Sequence, residues 1–178
     1  MTSAQQLIET ARLTPPAGPF DWDQVEQRIG APVPQDYRTL LDAGGGGLWL
    51  DYLRLFVPAP GTGLKHVDLE RSGAEFEQLQ DLFEDEVVLP PDDLDPEVRL
   101  LPWASTGNGV TLYWEVAPGA AADSYPIRVS DRNGDLWERY DQLTTDLLLG
   151  LVQGEVRSEL LDESWMVRDP LFTAYTAE

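Results

Sequence analysis

The chain reads as an α+β fold, and three observations carry that reading. Apolar residues recur at helical spacing in the segments 21–43, 69–83 and 144–154. Between 98 and 140 the period changes to two, over consecutive stretches with no helix among them. Strands that run together in this way, instead of alternating with helices, do not fit the βαβ repeat of a parallel sheet. With the apolar stretch 48–57 added, the expectation is one domain with an antiparallel sheet of about five strands flanked by helices. At 178 residues and 42% hydrophobic content the chain needs no staple, since a domain of this size buries roughly 70% of its unfolded surface.

Taken in order, residues 1–20 place Leu7, Ile8 and Leu13 on a short helix. Pro15, Pro16 and Pro19 then force an extended entry, so this is an adapter segment ahead of a domain at 21–154. Asp21 suits an N-cap, and Gln24 stands at the capping-box position. Trp22, Val25 and Ile29 form one apolar stripe, and Gly30 supplies the left-handed stop. Pro34 fits the first turn of a second helix carrying Tyr37, Leu40 and Leu41, and four glycines from Gly44 to Gly47 end it. Residues 48–57 are apolar on both alternating faces, which predicts one strand covered on both sides. Pro58, Pro60, Gly61 and Gly63 close it as a loop. Leu69, Phe76, Leu79, Leu82 and Phe83 then mark the buried face of a third helix.

Strands are expected at 98–104 and 110–116, the latter central, with a turn between them. A flexible segment follows at 117–124. Residues 126–130 and 136–140 form a hairpin around Asn133-Gly134, a pair that tolerates positive φ. Thr144 is placed as the cap of the last helix, with Leu143 and Leu148 as its staple and Leu147, Leu148, Leu151 and Val152 buried. Trp165, Met166, Leu171, Phe172 and Tyr175 make 155–178 too apolar to float, so that segment packs back on the domain.

Charge narrows the partners. Thirty-two acidic residues against twelve basic ones give a formal charge of −20. Such a surface repels phosphate backbones and anionic head groups, so nucleic acid and membranes are poor partners and a basic protein is a good one. The acid is concentrated: from 75 to 97 there are ten carboxylates and no Lys or Arg. Glu84, Asp85, Glu86, Asp92, Asp93, Asp95 and Glu97 stand on a loop that Pro90, Pro91 and Pro96 stiffen, able to present several acceptors to Arg and Lys at low ordering cost. The plainer reading is a solvated charged loop. The N-terminus has neither a basic start nor a long apolar run, and the longest apolar run, 147–152, cannot span a bilayer, which together suggest a cytoplasmic protein.

The signals for chemistry are weak. There is no cysteine, hence no disulfide, thiolate metal site or thiol nucleophile. His66 is the only histidine and Lys65 the only lysine; beside Asp68 they read as plain surface, and no nucleophile elbow or phosphate-cradling loop occurs. Gly44 to Gly47 follow a helix and precede a strand, the reverse of a phosphate loop. Asp131, Asn133 and Asp135 alternate like half a calcium loop, but the glycine is misplaced and Gln142 stands where a bidentate Glu is required. No catalytic residue, metal site or cofactor is assigned. An acid-pair hydrolase stays open only as the weakest alternative, because carboxylate separation is a three-dimensional fact.

One pattern is more specific. Glu26, Ile29-Gly30, Val33-Pro34, Asp36-Tyr37, a short apolar helix and a glycine turn are followed by Leu101-Pro102-Trp103-Ala104, Gly107-Asn108-Gly109, Tyr113-Trp114-Glu115 and the helix from Thr144. In order and spacing this resembles the SMI1/KNR4 family, or SUKH superfamily, over roughly 22–154. The resemblance implies a SUKH-like domain that binds proteins and, for a stand-alone bacterial chain, an immunity protein neutralising a cognate toxin, often a nuclease. The alternative is a general regulatory or scaffolding module with no toxin partner, and a neighbouring toxin gene would separate the two. Many relatives carry an acid directly after the glycine where this chain has Val110.

Overall fold

The computed structural model describes residues 1–176, so the last two residues of the C-terminal segment lie outside the described residues. Helices α1 (Ser3–Thr10), α2 (Trp22–Ile29) and α3 (Gln35–Gly44) are followed by strands β1 (Gly47–Trp49) and β2 (Leu53–Leu55). Helix α4 (Ser72–Glu84) leads to β3 (Arg99–Thr106), β4 (Thr111–Val116), β5 (Ile127–Ser130) and β6 (Trp137–Tyr140). Helix α5 (Thr144–Gln153) and β7 (Phe172–Ala174) complete the order. The seven strands form one antiparallel sheet, β6-β5-β4-β3-β2-β1-β7. The α+β class stands, but seven strands replace the expected five.

Both extra strands have a physical cause. Residues 48–57 are two strands, because the chain reverses at Leu50 and Asp51, which take φ of 58° and 51°. The turn closes with the Tyr52 amide on the Trp49 carbonyl at 3.0 Å, and the C-terminal segment grips it from both sides, Leu50 donating to Leu171 and Val167 donating to Leu50. Nothing local favours positive φ at a leucine, so only tertiary contacts hold it there. The second extra strand, β7, pairs with β1 across more than a hundred residues. Gly47 makes this approach possible: a Cβ there would stand 2.6 Å from the Thr173 carbonyl oxygen and closer still to the Phe172 ring.

Helices cover both faces of the sheet. Alternation in β4 sends Leu112 and Trp114 to one side and Tyr113 and Glu115 to the other. On the first side, the Trp114 indole donates to Thr144 Oγ1 of α5 at 2.9 Å, and Tyr37 of α3 meets Trp114 edge-on, ring centroids 5.1 Å apart. Helix α1 packs against both α3 and α5, and its Leu7 is fully buried, so the N-terminal segment shares this core. On the second side, Ser72 at the start of α4 donates to the Pro102 carbonyl at 2.6 Å, and Phe83 near its end meets Trp137. Val110 is buried.

Two finer expectations are corrected. Asp21 does cap α2, accepting from the Gln24 amide at 3.1 Å, but the Gln24 side chain reaches Glu70 instead of closing a capping box. Thr144 does not cap α5. Leu143 occupies the cap position without a side-chain bond, and the cap arrives from α3: Asp36 Oδ2 accepts from both the amide and the hydroxyl of Thr145 at 2.8 Å. The expected hairpin around Asn133-Gly134 is present, its connection running between paired Ser130 and Trp137.

Candidate functional site

The acidic stretch begins where α4 runs out. The Asp85 amide still closes on Asp81, Glu86 takes φ of 57°, and the Val87 and Val88 amides both fold back onto the Leu82 carbonyl. This turn leaves Glu84, Asp85 and Glu86 exposed. Beyond it the chain is fastened to the β5–β6 hairpin. Leu89 donates to the Gly134 carbonyl at 3.3 Å, and the Trp137 indole donates to the Leu89 carbonyl at 2.7 Å. Buried Pro91 and half-buried Val88 and Leu94 act as apolar pegs. Asp95 Oδ1 accepts the Glu97 amide at 2.9 Å and Val98 closes on the Asp95 carbonyl, so the last part is a chain of tight turns.

The seven candidate acids therefore divide. Glu84, Asp85, Glu86, Asp92, Asp95 and Glu97 are exposed and form no ion pair among the described residues. Asp93 is engaged. Its Oδ1 lies 2.9 Å from Arg128 Nη2, and the hydrogen bond from that guanidinium holds the Asp93 carboxyl below its ordinary range. Arg128 is buried on β5, and its Nε meets Glu115 of β4 at 2.8 Å. Glu115 is shared with Arg139 of β6 at 3.3 Å, and Arg139 also holds Asp141 at 2.7 Å. All of this lies on the α4 side of the sheet, so Asp93 works as the clasp that fixes the loop.

The hairpin end is equally fixed. Asp131 Oδ1 accepts the amides of Asp135 at 2.8 Å and Leu136 at 2.9 Å. Burial alone raises its pKa, but the amides of Leu136, Asp135, Asn133 and Gly134 together outweigh that and hold the carboxyl low. The residues that resembled half a calcium loop are thus occupied in turning the chain. Among the described residues no three His, Asp or Glu side chains come together as a metal-holding group.

Elsewhere, a cleft of about 380 Å³ between the 60–66 loop and β7 is lined by Leu48, Arg54, Leu64, His66 and Tyr175, with no carboxylate among the described lining residues. Sequence reasoning overlooked two parts of the acidic surface. One is Arg128, whose only signal was a charge between two β-branched residues of a strand. The other is the Val87-Val88-Leu89 run inside the acidic stretch, which was legible as three apolar residues where charge dominates. No family model, curated protein or solved structure matches the chain.

Proposed function

We propose that this chain is a non-enzymatic protein-binding domain of the SMI1/KNR4 (SUKH) type that acts as an immunity protein, neutralising a cognate basic toxin. The observation that carries the proposal is the row of six carboxylates from the end of α4 through the loop pinned to the sheet, exposed and without an ion pair among the described residues, in a chain of formal charge −20. Pinning matters because a preorganised loop loses little entropy when it binds. Unpaired acids matter because their acceptors stay available for charge-assisted, bidentate bonds from Arg. A nuclease fits as the toxin: it must carry a basic surface for phosphate, and carboxylates compete for the same arginines. The family-like order of residues 22–154 supports the same reading.

The test is capture from the native host at low and high salt, followed by titration of the captured partner. A basic partner, encoded beside this chain and released by salt, is the expected result. Neutralising Glu84, Asp85, Glu86, Asp92, Asp95 and Glu97 while leaving Asp93 intact should slow association and flatten its salt dependence. Unchanged affinity in that variant would remove the loop from the interface.

A further inference from the structure

Among the described residues, eight large apolar side chains are exposed, and four of them stand around the acidic loop: Leu82, Val87, Leu89 and Leu136. Val87 is brought back to Leu82 by the turn in which the Val87 and Val88 amides close on the Leu82 carbonyl, and Leu89 follows two residues on. Leu136 joins from the hairpin, two residues beyond the Gly134 carbonyl that accepts the Leu89 amide. Val87, Leu89 and Leu136 are 64%, 55% and 58% exposed, well beyond what core packing leaves at a surface leucine. Their backbone is nevertheless held by the Trp137 indole and by Asp131, so the patch is presented by a fixed frame. Glu84, Asp85, Glu86, Asp92 and Asp135, all exposed, stand on the same two segments of chain. Arg132 is the one cation on this hairpin end, and its side chain lies along Gly109.

We infer that Leu82, Val87, Leu89 and Leu136 form the apolar centre of a protein interface whose rim is the acidic loop. Its occupant is a basic protein surface with an apolar knob at its middle, Lys and Arg around Leu, Ile or an aromatic residue. Charge selects this occupant over a second copy of the chain, because self-association would press two carboxylate rims together. The division of labour follows from interface physics. Rim charges set the association rate and its salt dependence, while a desolvated apolar centre sets how long the complex lasts. This inference rests on the protein-binding reading above and adds the contact that charge alone does not supply.

Two defined probes test it without the natural partner: a Leu/Lys amphipathic peptide and an Ala/Lys peptide of equal length and charge. The full chain should bind the Leu/Lys peptide about tenfold more tightly at equal salt, the loss expected when an apolar hot spot is truncated. Amide shifts in NMR should concentrate at 82–89 and 134–137. The V87S/L89S/L136S variant changes only exposed side chains and should melt as the parent does. It should lose the preference for leucine while its salt slope stays as in the parent. Equal binding of both peptides, or a preference that survives in the variant, would overturn the apolar centre and leave the electrostatic reading intact. No salt-dependent binding of either peptide would overturn both. Concentration-dependent dimerisation that the variant abolishes would assign the patch to a second copy and overturn the stated occupant.

Discussion

Asp36 shows how much a single side chain contributes across the sequence. Helix α5 has no cap of its own, and Asp36 Oδ2 satisfies its Thr145 amide and hydroxyl from α3, 109 residues away. Its other oxygen, Oδ1, is buried and has no partner among the described residues, so the position already carries a desolvation cost. Against that cost, an acceptor at a helix N-terminus is favourable, and such a cap is worth about 1–2 kcal/mol. Asp36→Ala should therefore lower unfolding stability by that amount in urea titration. Asp36→Asn keeps an acceptor and should lose less than half as much; equal losses would mean that charge, not acceptance, matters. The local rule favoured Thr144 for this role, since Thr opens helices. What it could not register is that Trp114 claims the Thr144 hydroxyl from the sheet.

At the scale of elements, the clasp between the acidic loop and the sheet is a graded device. Arg128 is buried and meets two carboxylates, of which Glu115 is nearly buried and Asp93 mostly exposed. Removing the inner partner leaves the buried guanidinium with only the exposed Asp93, so Glu115→Ala should cost up to about 3 kcal/mol. Asp93→Asn should barely move the global midpoint but should speed amide exchange across 89–97, because it frees the loop alone. Equal global effects would place the loop inside the core's cooperative unit.

Acid probes the same elements. The folded pKa values of Asp93 and Asp131 are lowered, so their contribution is present above the unfolded value, about 3.9, and is lost as pH falls through the folded ones. The Asp135 and Leu136 amides and the Trp137 indole should hold their NMR shifts from pH 7 to about 4.5 and move only below it. Movement centred above pH 5 would mean that the carboxyl is raised, not lowered. The helices were legible because each buries a stripe written within ten residues, as Val25 with Ile29 or Phe76 with Leu79. The split of 48–57 and the addition of β7 were not, since a positive φ at Leu50 and a pairing of Gly47 with Ala174 are decided by residues far away in sequence.

For the molecule as a whole, the exposure of the candidate acids was legible from composition, since carboxylates without a partner are almost never buried. That Asp93 is clasped was not, because its partner's burial depends on the sheet. Charge at this scale has a consequence that separates folding from binding. Of the 32 carboxylates only Glu26, Glu70, Asp93, Glu115 and Asp141 take part in ion pairs among the described residues, so repulsion outweighs attraction across the surface. Raising ionic strength from 0.01 to 0.1 M shortens the screening length from about 30 to about 10 Å, which weakens long-range repulsion far more than the few short pairs. The melting temperature should therefore rise with salt, by about 3 °C if screening returns on the order of 1 kcal/mol to a chain of this length. Binding of a basic partner should weaken over the same range, because screening there removes attraction. Opposite slopes from one protein, by calorimetry and by titration, are what a self-repelling scaffold held ready for a cation requires. A melting temperature that fell with salt would mean that the ion pairs, and not the surplus of acid, govern the folded state.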